Sequence, residues 1–596
     1  MYREDIDSLK GIAILCVLLF HIGLLKSGYL GVDVFFVING FLLIPSVVKG
    51  VEDGNFSYFR FLEKRIVRLL PLIALASFAC LILGYYLMLP DSLENLGQAV
   101  IASNFFSENI LSAITTKNYW DISNDYKPLM HLWYVGVLME FYFVLPLLVI
   151  ILKKLSGFIK RKASYIIFEG LCIFTLLSLF LYLLPIDTDS NKFYYLPYRF
   201  FELSMGGLIA LKYNKRKPVM GGAISWLPVL LLLVVVCNSL AYFSVDTIDN
   251  HMAPIGAKNI LSKTMPIDKT LALIITVLIT SIIVASENTK VWLCKSKVLI
   301  YFGKRSYSIF IWHQVLLAFY RNSVSSHVSF SFVIGLIFVT LIFSEFSYRF
   351  IETKINVSLR SFCVSIIIAI ALMLPASYLY MHAGVVRDIP ELDVYKGNEY
   401  RGMFAEYCDR IYDYDKDFPS DNGKINVLVV GVSFGRDFAN VLLESEYADS
   451  INLSYAFNWN KDYTTRVKKA NYIFSFSFKD QVPEYVWRSI ADQDHVYGIG
   501  TKNYGDDNGV IYLHRNSKKY FQTTVSANIA YLKLDSEMKE SWGDDHYIDF
   551  LSPVLTKDGR IRVFTPENKY ISQDCHHLTK AGAQWYAKIL DLNILK

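Results

Sequence analysis

The sequence predicts a polytopic α-helical membrane bundle of eleven spans followed by an α/β domain in water, and three observations carry that prediction. Of 596 residues, 53% are hydrophobic and 19% are charged, against roughly 25% charged in an average soluble chain. The charge is divided: residues 1–384 hold 33 Lys/Arg against 23 Asp/Glu, whereas residues 385–596 hold 26 against 31. The net charge of +5 therefore belongs to no single surface. Apolar runs fill the first part and short alternating segments fill the second. Disorder is excluded by the apolar content. Nucleic acid binding is not expected, because the basic residues sit in short clusters between apolar runs rather than in a stripe with interleaved aromatics.

The runs lie at 8–26, 29–48, 67–89, 129–152, 164–184, 195–211, 218–242, 269–286, 297–318, 328–350 and 361–382, and a spanning helix needs about 20 mostly apolar residues. Lys10 and His21 interrupt the first run. No small-residue cleavage site follows it, which predicts a retained anchor. Basic residues mark alternate loops: Lys49, Arg60, Lys64, Arg65 and Arg68, then Lys153 to Lys162, Lys212 to Lys217, Lys290 to Lys297, and Lys354 with Arg360. The positive-inside rule then predicts a cytoplasmic N-terminus, and an odd number of spans places everything beyond 385 outside.

Ionisable groups in hydrocarbon cost at least a few kcal/mol and mark function. His21, His131, Glu140, Arg199, Glu202, His313 and Glu345 all fall within or at the ends of runs, which predicts a polar cavity in the bundle. A transporter of a polar or lipid-linked solute would need the same cavity, and that alternative stays open at this level.

Ordered blocks of residues narrow the choice. Tyr2 to Gly11 leads to Phe20-His21, and Gly28 to Leu42 follows with Asp33 at its centre. Then come Phe59 to Pro71, Lys127 to Tyr134 around His131, Tyr198 to Glu202, Gly303 to Ser308 running into Trp312-His313, and Ser347 to Glu352. This ordered set resembles the acyltransferase type 3 family of membrane proteins, whose members O-acylate surface glycans. The resemblance covers residues 1–355 and implies a membrane acyltransferase domain there, with an additional transmembrane helix at 356–384. It implies His21 as the catalytic residue of the bundle, either as general base or as acyl acceptor, with Asp5, Asp7 or Asp33 orienting it. It implies that Lys10, Arg60, Arg65 and Arg68 hold the phosphates of an acyl-CoA donor, acetyl-CoA being preferred. Asp33, His131, Glu140, Arg199, Glu202 and His313 are expected as polar groups of the membrane cavity. Lys10 stands where the family usually has Arg, and Glu140 is the nearest substitute for paired acids that many members carry after the His131 block.

Residues 385–424, rich in Tyr, Asp and Gly, read as a linker. From 425 to 596 the pattern is α/β, with strands expected at Ile425–Val430, Ile451–Ala456, Tyr472–Phe478, Val496–Ile499 and Ile561–Phe564 and a helix over Phe438–Glu444. Parallel strands alternating with helices fit this order. Gly431-Val432-Ser433 ends the first strand, where a serine is well placed as a nucleophile. Asp574 and His577, three apart before a terminal helix, can supply an orienter and a base. This pairing resembles the SGNH hydrolase superfamily, a flavodoxin-like three-layer fold, and implies Ser433, Asp574 and His577 as a catalytic triad. Val432 replaces the acid that usually precedes the serine. No clear Gly-x-Asn-Asp block is present, and Asn503 in Gly500–Gly505 is the one candidate for the oxyanion hole against a plain Gly-rich loop.

Cys16, Cys80, Cys172, Cys237 and Cys363 fall in apolar runs, Cys294 in a loop expected to be cytoplasmic, and only Cys408 and Cys575 in the outer part. An oxidising location would let the last two pair. No Cys-x-x-Cys or His/Cys cluster suggests a metal. The expectation is an O-acyltransferase of the bacterial cytoplasmic membrane, in contact with membrane lipid, passing an acyl group from cytoplasmic acyl-CoA to a cell-surface or periplasmic glycan. An outer esterase tethered to an inactive bundle is the third reading. The sequence specifies neither the glycan nor the oligomeric state.

Overall fold

The computed structural model describes residues 3–115, 122–213, 232, 268–286, 295–325, 330–396, 403–420, 422–459, 461–505, 508–574 and 576–595. The chain divides into two compact units, one of Met1–Tyr86, Asn95–Arg321 and His327–Tyr380, the other of Leu87–Glu94, Asn322–Ser326 and Met381–Lys596.

The first unit is helical. Its main elements are α1 (Glu4–His21), α2 (Gly31–Glu52), α3 (Tyr58–Leu87), α4 (Trp133–Ile159), α5 (Ala163–Leu183), α6 (Leu196–Tyr213), α7 (Lys269–Ala285), α8 (Lys297–Lys304), α9 (Ser306–Ser323), α10 (Phe330–Ser347) and α11 (Leu359–Met381). Among the described residues, six helical segments are long and apolar enough to cross a membrane: Lys26–Glu52, Tyr58–Leu87, Met130–Ile159, Ala163–Leu183, Ser331–Glu352 and Leu359–Met381. The run at 218–242 lies outside the described residues, Leu232 apart. The expected single span at 297–318 is two helices instead. The chain breaks at Arg305, whose guanidinium packs 3.7 Å from the ring centre of Tyr301 and pairs with Glu345.

Glycine sets the closest helix contacts. A Cβ on Gly40 would lie 1.6 Å from the Leu203 carbonyl oxygen, and one on Gly206 2.0 Å from that of Val37. So α2 and α6 meet backbone to backbone, the arrangement that small residues permit in membranes. Gly303 and Gly11 do the same for α1 and α8, with Cβ positions 1.7 Å from the Asp7 oxygen and 2.1 Å from that of Leu299.

The second unit is α/β. Strands β1 (Ile425–Val430), β2 (Ile451–Ala456), β3 (Tyr472–Ser475), β4 (Val496–Ile499) and β6 (Tyr547–Ile548) form a parallel sheet in the order β2-β1-β3-β4-β6. Alternation along β1 builds both faces. Val427 and Val429 pack with Phe438 and Phe474 on one side, Leu428 and Val430 with Val467 and Val486 on the other. The helices that position the site are α12 (Ser433–Leu443), α13 (Ile529–Trp542) and α14 (Lys580–Ile589). Three expectations change. Strand β3 ends at Ser475 rather than at Phe478. Helix α12 begins at Ser433 itself rather than at Phe438. The strand expected at Ile561–Phe564 is β7 (Arg560–Arg562), which pairs antiparallel with β5 (Thr524–Ser526) in a separate ribbon. The fifth parallel strand is β6, only two residues long, which no apolar run announces.

Candidate functional site

In the helical unit, a cavity of about 840 Å³ opens among α1, α2, α3, α4, α8 and α9. Five cations line it: Lys10, Lys64, Arg65, Arg68 and Lys304, against the acids Asp7 and Glu352. Clustered cations in a partly apolar recess suit a phosphorylated ligand, because charge-assisted bonds strengthen as water is excluded. Lys10 lies 3.2 Å from Asp7, and the Arg65 guanidinium sits 5.2 Å and 5.4 Å from the ring centres of Phe61 and Tyr142. Of the four residues expected to hold phosphates, Lys10, Arg65 and Arg68 are on this wall. Arg60 is exposed and does not line the cavity. Spacing along the chain could not separate it from Arg65, whereas the helical face does.

Phe310 lines the cavity and also packs 5.0 Å from the His131 ring and 5.9 Å from the His313 ring. Beyond it three histidines from separate helical segments meet. His313 lies 5.0 Å from His21 and 5.4 Å from His131, ring centre to ring centre. His131 and His313 are buried while His21 is partly exposed. Lys10 and His21 are both on α1, about 16 Å apart along its axis at 1.5 Å per residue. One helix thus carries a cavity cation at one end and the histidine cluster at the other. Arg321 fixes that second end: it donates to the His21 carbonyl at 3.0 Å and pairs with Asp125 at 3.4 Å.

The acids expected to orient His21 are engaged elsewhere. Asp5 binds Arg3 at 2.7 Å, and Asp7 takes Lys10. Asp33 joins Arg199 at 3.1 Å, and Glu202 takes the same guanidinium nitrogen at 2.8 Å. All three members of that cluster are buried. A buried arginine demands counter-charge, so Asp33 is committed to Arg199 and not to His21. Glu140 accepts from Asn109 at 2.7 Å and is not on the cavity wall.

In the α/β unit, Ser433 is the first residue of α12, directly after the Gly431-Val432 turn at the end of β1. Val432 has no side-chain oxygen to cap the helix, which leaves the first-turn N–H groups without a capping side chain where an anion would sit. Asp574 Oδ2 accepts from His577 Nδ1 at 2.5 Å, and its Oδ1 accepts the backbone N–H of His577 at 2.8 Å and of His576 at 3.1 Å. His577, rather than His576, is therefore the partner of Asp574. Desolvation works to raise the Asp574 carboxyl, but the adjacent His577 charge and hydrogen bonds outweigh it and hold the group well below the usual carboxylate range.

The segment carrying His577 is fastened to α12. Asp437, one turn beyond Ser433, accepts the Leu578 N–H at 2.9 Å and sits 2.9 Å from Lys502 Nζ. Lys502 is only 1% exposed and stands 3.7 Å over the ring centre of Phe434, the neighbour of Ser433. Burial pushes the Lys502 ammonium down from its ordinary value, and Asp437 opposes that shift. Sequence reading passed over this pair because its members are far apart in the chain and one lies in a Gly-rich loop. Asn503, from the same loop, has its Nδ2 3.4 Å from His576 Nδ1 and its Oδ1 on the Gly505 N–H at 3.0 Å. Among the described residues no hydrogen bond joins Ser433 to His577. Cys408 is a buried free thiol directed at the Leu578 carbonyl at 3.8 Å, and its expected partner Cys575 lies outside the described residues. No group of three or more His, Cys, Asp or Glu among the described residues is arranged to hold a metal ion.

A family model described as an acyltransferase domain matches residues 3–349. A Staphylococcus aureus (strain MSSA476) protein named "Putative O-acetyltransferase SAS0844" is 28% identical over 368 residues, covering 59% of this chain and 57% of the relative. The O-acetyltransferase OatA of S. aureus (strain NCTC 8325 / PS 47) is 26% identical over 374 residues, covering 60% and 57%. The chain thus spans little more than half the length of the curated relatives it matches. No solved structure matches it.

Proposed function

Because the chain belongs to the acyltransferase type 3 family, we propose that it is a two-stage O-acyltransferase that takes an acetyl group from acetyl-CoA in the cytoplasm and delivers it to a glycan hydroxyl outside. The observation that carries this reading is the basic cavity, one of whose lining residues, Phe310, also packs against the cluster containing His21. In this reading Lys10, Arg65 and Arg68 hold the phosphates of the donor, with Lys64 and Lys304 beside them. The thioester end reaches past Phe310 to His21, which moves the acyl group on.

The outer unit then receives the acyl group on Ser433. His577, oriented by Asp574, takes the proton from Ser433 and later from the acceptor hydroxyl. First-turn N–H groups of α12 face the charge that develops on the carbonyl oxygen. The topology that goes with this is a multi-pass protein of the cytoplasmic membrane, with the N-terminus inside and residues 385–596 outside. The test is transfer of labelled acetyl to purified cell-wall glycan by full-length protein and its His21→Ala and Ser433→Ala variants. Full transfer by either variant would defeat the stage assigned to that residue, and mass analysis of glycans from cells with and without the protein identifies the acceptor.

A further inference from the structure

The middle histidine of the cluster has a fixed orientation. His313 Nδ1 lies 2.7 Å from the Phe310 carbonyl and 3.1 Å from that of Ile309. A carbonyl only accepts, so Nδ1 must carry the proton and donate it, and the lone pair of the neutral ring is on Nε2. That Nε2 is buried and has no hydrogen-bond partner among the described residues, in a side chain 2% exposed. The facing ring has a matching vacancy, since the Nδ1 of His21 is buried and equally without a partner. His131, its ring 5.4 Å from that of His313, has both ring nitrogens buried and unpaired as well; buried polar atoms left unpaired are costly, so such a cluster calls for a chemical use, and His21 is the member assigned to the donor.

We propose that His313 is the proton acceptor for His21 in the first acyl transfer, a step that rests on reading the bundle as the acyl-accepting half. The lone pair of His21 attacks the thioester carbonyl, the C–N bond forms and the C–S bond breaks. The remaining N–H proton of His21 moves to Nε2 of His313, which prevents a cationic acyl-imidazolium from being left in the bundle. That proton then leaves with the thiolate, which departs as the free thiol of CoA. Acyl-CoA and neutral His21 thus become acyl-His21 and CoA, with no net charge created among the helices. The role of Phe310 follows: its carbonyl sets the His313 tautomer while the residue itself lines the cavity and its ring touches the histidine cluster.

The test uses full-length protein in nanodiscs with labelled acetyl-CoA and no acceptor, following CoA release by chromatography and the label on the protein by mass analysis. His313→Asn can keep a donor at the Nδ1 position for the Phe310 carbonyl but has no base at Nε2; it is expected to slow release by about 10²-fold or more. His313→Ala leaves a ring-sized hole, and added imidazole is expected to restore much of its lost rate. A His313→Asn protein within threefold of the unaltered rate would overturn the proposal, and so would a His313→Ala loss that imidazole leaves unchanged, since both mark a packing residue. His21→Ala separates the two readings. If it releases CoA at the unaltered rate, the reading of the bundle itself fails; if it is inactive while His313→Asn is fast, only the His313 step fails.

Discussion

Two histidines stand at the centre of two sites, and they are held in different ways. His577 is oriented by a carboxylate, Asp574, with the pair partly open to water at side-chain exposures of 27% and 39%. In the bundle, His313 is oriented by a neutral backbone carbonyl, and the buried carboxylates Asp33 and Glu202 are tied to Arg199. The difference follows from solvent. Water shares the charge of an Asp–His pair at a surface, whereas an unpaired carboxylate among apolar helices carries a desolvation cost of several kcal/mol. A carbonyl fixes a tautomer without adding that charge.

Separating the stages gives the largest expected effects. Ser433→Ala should lower transfer to glycan by at least about 10³-fold while CoA release in the first turnover stays within twofold. His21→Ala should abolish both. If Ser433→Ala slows donor cleavage as much as transfer, the two sites are one reaction centre and the comparison breaks. Next is Asp574→Asn, expected to cost about 10²–10⁴-fold in kcat with KM for the acceptor little changed, because His577 loses its orienting acceptor. Asp33→Asn makes the matching change in the bundle. A specific loss of CoA release there, with the helices still folded, would show that a carboxylate serves His21 after all.

How much of this the sequence carried differs between the sites for a physical reason. The Asp574–His577 spacing is local, so its hydrogen bond was legible from three positions in the chain. The histidine cluster is not local: His21, His131 and His313 come from separate helical segments, so ionisable residues inside apolar runs pointed to a shared polar cavity but not to which of them would touch. Of the three acids offered as partners of His21, Asp33 is bound instead to Arg199, which is 166 residues away and becomes a neighbour where α2 and α6 meet at Gly40 and Gly206. Strand β6 was missed because two residues carry no period, and β7 was misplaced because an apolar run does not disclose which sheet it joins.

A smaller effect tests the donor cavity. Arg65→Met or Lys10→Met should raise KM for acetyl-CoA about tenfold each, near the 1.4 kcal/mol that a charge-assisted phosphate contact can contribute, with kcat nearly constant. Arg60→Met, off the cavity wall, should change KM less than twofold. Equal effects at Arg60 and Arg65 would mean that general surface charge, rather than the lined cavity, draws the donor.

The smallest effect concerns acid. The folded Asp574 carboxyl is held below its unfolded value, near 3.9 for an unperturbed aspartate. Its stabilising contribution is therefore fully present above that value and is lost as pH falls through the lower folded one. Because Asp574 also accepts the backbone N–H groups of His576 and His577, the loss is local and readable. Hydrogen exchange on the full-length protein should show protection at these two amides, relative to intrinsic rates, falling severalfold as pH drops from 5 through about 4 and below. Asp574→Asn should start with low protection and show little further change. The bundle supplies the contrast, since the bond from His313 to the Phe310 carbonyl has no carboxylate to protonate, and protection at the His313 amide, away from the Glu352 and Asp125 contacts at the two ends of α9, should stay constant over the same range. Protection at His576 and His577 that survives to pH 2 in the unaltered protein would show that the segment is held by Asp437 and the Thr579 bonds, and that the Asp574 bonds add nothing to its position.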